Sequence, residues 1–203
     1  DHGPWGADVA LTSLNLCRQT LDGIRNHSWS RPAPATIEGE IVSFSDRIAY
    51  CCHDLEDAIH AGILQGADVP EQVRRVLGAS RREQLGVLIH DVVRTTCRTG
   101  QVGMDAEIGD ALASLREFNY ARIYVRDESL AQYRVVVRVL RGLVDYYVQH
   151  PEALPAEHVA IDDPVRAAVT YVAGMTDRFA FDQAVQLLGW RLSRLPRGIG
   201  HGA

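Results

Sequence analysis

A chain of 203 residues, 46% hydrophobic and 23% charged, is long enough to bury a substantial core in one domain, and its composition is that of an ordinary globular protein. It has no apolar run near the roughly 18 residues of a membrane span, no signal-peptide pattern at Asp1-His2-Gly3-Pro4-Trp5, and a net charge of −5 that argues against a broad nucleic-acid-binding surface. All 21 basic residues are arginine, which excludes a Schiff-base lysine and the lysine of a P-loop and leaves arginine to meet any phosphate.

The apolar periodicity is helical from end to end. Leu11, Leu14, Leu21 and Ile24 predict a first helix that stops near Asn26-His27. Residues 28–34 form a loop, because Pro32 and Pro34 each disfavour helix at the preceding residue. A long second helix is predicted from about Thr36, which takes the N-cap position with Glu38 and Glu40 placed for the helix dipole. Its apolar stripe runs Ile37, Ile41, Ile48, Cys52, Leu55, Ile59 and Ile63, with Gly66 just beyond. Asp68-Val69-Pro70 opens a short helix, and Leu85, Leu88, Ile89, Val92 and Val93 mark another that ends by Gly100. Ile108, Leu112, Leu115 and Phe118 mark the next, and residues 130–147 the longest of the later ones. Asp163-Pro164 combines a cap with proline in the first turn and opens a helix carrying Val165, Val169 and Val172. A last helix is predicted over roughly Phe181–Trp190, with a frayed glycine-rich end after Pro196. No segment has a convincing strand period and none repeats. The prediction is an all-α, irregular helix bundle.

Chemistry concentrates on the second helix. Asp46, Tyr50 and Asp54 are spaced i, i+4 and i+8, so they share one face, with Asp57 near its edge and an apolar stripe opposite. Carboxylate, phenol and carboxylate offer a hard-cation ligand, a hydroxyl donor and a second acidic group, a set that suits a metal-assisted phosphate reaction. On spacing alone the same pattern also describes a solvated helix face. The four cysteines, Cys17, Cys51, Cys52 and Cys97, form no CxxC, and the adjacent pair is a poor disulfide candidate; reduced, buried thiols in a cytoplasm are expected.

Three segments carry a family resemblance. Residues 14–23, Leu-Asn-Leu-Cys-Arg-Gln-Thr-Leu-Asp-Gly, residues 36–58, with Asp46-Arg47-Ile48-Ala49-Tyr50 and His53-Asp54-Leu55-Glu56-Asp57-Ala58, and residues 171–180, Tyr-Val-Ala-Gly-Met-Thr-Asp-Arg-Phe-Ala, stand in the order found in bacterial dGTPase-like deoxynucleoside triphosphate triphosphohydrolases of the HD superfamily. The chain resembles the C-terminal portion of such enzymes. The resemblance implies a helix bundle of the HD-domain type lacking its N-terminal part: one partial domain over 1–203, with catalytic-core helices to about residue 66 and a C-terminal helical part over about 67–203. It implies hydrolysis of a dNTP to deoxynucleoside and triphosphate, a divalent metal (Mg²⁺ or Mn²⁺), a dNTP substrate and a homo-oligomer. Asp46 matches the family's distant metal-binding aspartate. Tyr50 and Asp54 match positions that face the substrate sugar and phosphates. Asp177 and Arg178 lie in a signature that the family places near the nucleotide pocket, although a helix-end salt bridge explains each of them nearly as well.

Two departures qualify this. The family's metal-binding His and His-Asp dyad precede the first matching helix, and of the 13 residues before Leu14 only His2 is a histidine, in the wrong order for the dyad. The sequence does not begin with Met, which reads as processing, trimming or a fragment. Relatives also often carry a lysine after the first helix, where this chain reads Asn26-His27-Ser28-Trp29. Three readings stay open: a triphosphohydrolase whose chain is incomplete here, a non-catalytic relative that binds nucleotides or other subunits, and an HD phosphohydrolase acting on another phosphoester. A direct scan for metal dyads finds His53-Asp54 and His90-Asp91. The first belongs to the matched segment and the second to the polar side of a structural helix. Among Tyr120, Tyr124, Tyr133, Tyr146 and Tyr147, one could stack on a base, but spacing does not choose it.

Overall fold

The computed structural model describes residues 1–159 and 161–196, all of them helical or connecting, with no strand among them. The expected frayed end beyond Pro196 lies outside the described residues. No described helix is long and apolar enough to cross a membrane. The chain divides into two compact units, with the seam between Val125 and Arg126. The helices on both sides of residue 66 share one core within the first unit.

The first unit opens with α1 (His2–Trp5), a π-helical turn over Gly6–Ala10 and a 3₁₀ turn over Thr12–Leu14, followed by α2 (Arg18–Asn26). The single first helix read from Leu11, Leu14, Leu21 and Ile24 is therefore broken. Asn15 takes a left-handed conformation with φ 48°, which asparagine tolerates better than most residues, and the chain restarts at α2. Then come α3 (Ile37–His60), α4 (Glu71–Leu77), α5 (Arg81–Thr99) and α6 (Ala106–Asn119), which runs directly into a π-helical turn over Tyr120–Tyr124.

Local chemistry accounts for these boundaries. The Thr36 hydroxyl accepts the Gly39 N–H at 3.1 Å and caps α3 as expected, with Glu38 and Glu40 in its first turn. Ser80 and Glu83 form a reciprocal capping box on α5, and Gly100 ends that helix at φ 72°. Ile48, Cys52 and Leu55 of the α3 stripe pack against Val73 and Leu77 of α4, Leu88 of α5 and Leu112 and Leu115 of α6. The stripe's first two members do not join them: Ile37 is 54% exposed and Ile41 41%, because this end of α3 runs past the core and lies beside the short α2. Cys51 and Cys52, about 100° apart around the helix, are both fully buried, since α5 and α6 cover α3 from two sides. Burial pushes the Cys51 thiol up to about 11 and the Cys52 thiol up to about 12, so both stay protonated. Cys17 and Cys97 are free but exposed, so the expectation of buried thiols holds for only half of them.

The second unit contains α7 (Asp127–Gln149), α8 (Ala156–Val159), α9 (Pro164–Ala173) and α10 (Asp177–Leu188). Its core joins Val139, Leu143 and Tyr147 of α7 to Ala167, Ala168 and Val172 of α9 and Ala180 and Ala184 of α10. Asp163 accepts the N–H groups of Val165 and Arg166, with Pro164 in the first turn, as its sequence predicts. The last helix starts four residues earlier than its apolar pattern suggests, because the Thr176 hydroxyl accepts the Phe179 N–H and caps it there.

Candidate functional site

The polar face of α3 is assembled as its spacing requires. Asp46 is exposed, Tyr50 and Asp54 are half-buried, and the three follow one another along one side of the helix. The Asp46 carboxylate makes no hydrogen bond or ion pair among the described residues, so its oxygens stay available as hard ligands. Asp54 is engaged from across the unit: the Tyr124 hydroxyl, in the π-helical turn that ends α6, donates to its Oδ2. Burial first, and then this hydrogen bond to a carboxylate, raise the Tyr124 phenol well above its ordinary range and keep it protonated. The Tyr120 ring meets the Tyr124 ring edge to face, with centroids 6.5 Å apart.

The residue after Asp46 is a cation that sequence reading passed over. Arg47 is only 8% exposed and its guanidinium lies 4.0 Å from the centre of the Trp29 ring and 5.6 Å from that of Tyr50. Trp29 is itself held edge-on by Phe44 at 5.0 Å. Burial pulls the Arg47 guanidinium down from its usual value, though arginine keeps its charge in proteins. No carboxylate pairs with it among the described residues. A mostly buried cation without an anionic partner is costly, and an incoming anion would remove that cost. Arg116 of α6 stands beside the Tyr50 hydroxyl, where it opposes the upward shift that burial and Cys51 impose on that phenol. Asn119, fully buried at the end of α6, donates to the Cys51 carbonyl at 2.8 Å and so ties the turn that carries Tyr124 to α3.

The site thus gathers Asp46, Arg47, Tyr50, Asp54, Arg116 and Tyr124 from α3, α6 and the π-helical turn. A signal for the α6 contribution did exist: Arg116, Tyr120 and Tyr124 repeat the i, i+4, i+8 spacing of the α3 triplet. Asp177 and Arg178 belong to the second unit, where both are exposed in the first turn of α10 and neither takes part in an ion pair among the described residues. The dyad-like pairs dissolve on inspection. His53 is exposed while Asp54 turns to Tyr124. His90 is exposed while Asp91, 3% exposed, accepts the Asp105 N–H at 2.8 Å and pairs with Arg94. Among the described residues no three His, Cys, Asp or Glu side chains converge as a protein-only metal cage would need.

Residues 102–186 match the profile of the phosphohydrolase-associated domain. The chain is 36% identical over 182 residues to a deoxyguanosinetriphosphate triphosphohydrolase-like protein of Clostridium perfringens, a match covering 84% of this chain and 53% of that protein. Its likeness of the same name in Caldanaerobacter subterraneus is 33% identical over 170 residues, covering 82% and 50%, and that in Geobacter sulfurreducens 28% over 228 residues, covering 87% and 59%. The chain therefore spans about half the length of the curated relatives it matches. The order of its three motifs, its all-α fold and these similarities make the chain a member of the bacterial dGTPase-like family.

Proposed function

We propose that the α3–α6 face is the nucleotide-facing part of a deoxynucleoside triphosphate triphosphohydrolase, and that it holds a dNTP by its phosphates and sugar. The observation that carries this reading is Arg47, buried, stacked on Trp29 and without a carboxylate partner, one residue from a free Asp46. A triphosphate is the kind of anion that would complete the arrangement. Arg47 is fixed in orientation by the indole beneath it, so it can present its donors to phosphate oxygens without a further ordering cost. Arg116 can do the same from α6. Tyr50, kept as a neutral phenol, retains a hydroxyl proton to donate to a phosphate or sugar oxygen while its own oxygen accepts from Arg116. Asp54, oriented by Tyr124, keeps a second carboxylate oxygen for a sugar hydroxyl.

A divalent cation, Mg²⁺ or Mn²⁺, fits Asp46 by the chemistry of its unengaged carboxylate, with other ligands expected from the part of the longer protein that this chain does not span. Bound there, the metal would supply water activation and neutralise phosphate charge. The protein's own contribution is positioning: arginines on the phosphates, Tyr50 and Asp54 on the sugar side, and an indole that excludes water from beneath the guanidinium.

The test is product analysis with the full-length protein, dGTP and either ion. Release of inorganic triphosphate with deoxyguanosine supports the reading, whereas pyrophosphate or orthophosphate as the first product refutes it. Tight dNTP binding without turnover would convert the protein to a non-catalytic nucleotide-binding relative.

A further inference from the structure

Away from the α3 triplet, two imidazoles meet. His2 Nε2 lies 2.8 Å from His27 Nε2, with ring centroids 4.8 Å apart and planes tilted by 59°. The His27 ring is held by the backbone. His27 follows α2, and its Nδ1 lies 2.7 Å from the Ile24 carbonyl oxygen. A carbonyl only accepts, so Nδ1 carries the proton and Nε2 presents a lone pair. This is the outer-shell arrangement by which metal-binding histidines fix their tautomer. His2 opens α1, which lies close against the end of α2: a Cβ on Gly3 would stand 2.9 Å from the Arg25 carbonyl oxygen. With no metal bound, the contact is an N–H···N bond in which His2 Nε2 donates to His27 Nε2.

We propose that His2 and His27 form a cis bis-imidazole site for a divalent ion of the Cu²⁺ or Ni²⁺ class. Two nitrogens bound at about 2.0–2.1 Å to one ion stand about 2.9 Å apart in a square-planar or octahedral right-angle arrangement, and about 3.4 Å apart in a tetrahedral one. The observed 2.8 Å matches the right-angle bite, and tetrahedral Zn²⁺ would have to push the rings apart. No third His, Cys, Asp or Glu among the described residues joins the pair, so water completes the coordination. Two neutral imidazoles take the ion without releasing a net proton. The His2 proton moves from Nε2 to Nδ1, where water can accept its hydrogen bond because the residue is exposed. Mg²⁺, which prefers oxygen ligands, is not a competitor here, and the imidazole pair is separate from the role proposed for Asp46.

The test is titration of the untagged full-length protein with Ni²⁺ near pH 7.5 by calorimetry, together with electron paramagnetic resonance of the Cu²⁺ form. We expect one equivalent of Ni²⁺ that excess Mg²⁺ does not displace, and a Cu²⁺ spectrum with hyperfine structure from two imidazole nitrogens. His2→Ala should weaken Ni²⁺ binding at least about tenfold and leave one imidazole nitrogen on Cu²⁺, and Asp46→Ala should change neither. His2 is exposed, so its removal does not threaten folding; unchanged circular dichroism verifies this, and His2→Gln gives a second variant of similar polarity. Absence of uptake, an affinity that survives His2→Ala and His2→Gln, or a spectrum without two nitrogens overturns the proposal.

Discussion

Replacing Arg47 by methionine separates a ligand-binding arginine from a structural one. Methionine keeps an unbranched apolar stem over Trp29, so packing is largely retained while the charge is removed. On the stability side two terms oppose each other: loss of the cation–π contact, worth about 0.5–2 kcal/mol, and relief from burying a cation that has no carboxylate partner. The net change in the melting temperature should be small. On the binding side, a guanidinium about 4 Å from a phosphate charge gains about 4 kcal/mol at an effective dielectric of about 20. Desolvation takes back part of this, which leaves about 1.5–3 kcal/mol for a charge-assisted contact. That corresponds to a Kd for dGTP raised about 10- to 150-fold. The assay is calorimetric titration of the full-length protein with dGTP in Ca²⁺ or another ion that supports binding without turnover, with deoxyguanosine as the uncharged control. Binding of dGTP by Arg47→Met within threefold of the original protein would refute the phosphate contact. So would an equal loss for dGTP and deoxyguanosine, or a loss that comes with a collapse in melting temperature.

Tyr124→Phe removes the hydroxyl that orients Asp54, and we expect kcat/KM for dGTP to fall more than thermal stability does; steady-state kinetics with calorimetry checks this, and unchanged kinetics would detach Tyr124 from the site. Thiol titration of the folded chain at pH 8 should show two reactive cysteines, with Cys17 ahead of Cys97 because the Thr20 hydroxyl lowers its pKa, and Cys51 and Cys52 should react only after denaturation. In the second unit, burial first and then Tyr171 raise the Tyr147 phenol to about 12. A raised folded value means that the folded state holds the proton more tightly, so this contribution is complete below about pH 10 and disappears as pH rises through about 12. Tyr147→Phe should therefore flatten the alkaline limb of the unfolding curve followed by circular dichroism. Leu115→Ala, at a fully buried position of the first core, should cost about 2–5 kcal/mol in denaturant unfolding.

What the sequence revealed depended on the range of the interaction concerned. Caps and stops are decided within four residues, and Thr36, Asp163 and Gly100 were readable for that reason. The first helix is an exception because apolar spacing cannot register a single backbone dihedral, and the left-handed Asn15 breaks the pattern that Leu11 and Leu14 share with Leu21 and Ile24. The outward-facing Ile37 and Ile41 show the same limit, since periodicity reports that a stripe exists but not how far the partner helices reach along it. The site divides along the same line. Asp46, Tyr50 and Asp54 share a helix, so their common face follows from 3.6 residues per turn. Arg47 meets Trp29 across 18 positions, and Asp54 meets Tyr124 across 70. No local spacing rule connects such pairs. Adjacent residues on one helix point about 100° apart, and on α3 that angle puts a free carboxylate at Asp46 next to a buried guanidinium at Arg47. The aspartate alone would be one acid on a wet helix. The indole brought in by the 28–34 loop orients the cation, and the tyrosine brought in by the turn after α6 fixes the second carboxylate. The proposed site therefore rests on tertiary contacts, with the α3 motif supplying the groups that those contacts arrange.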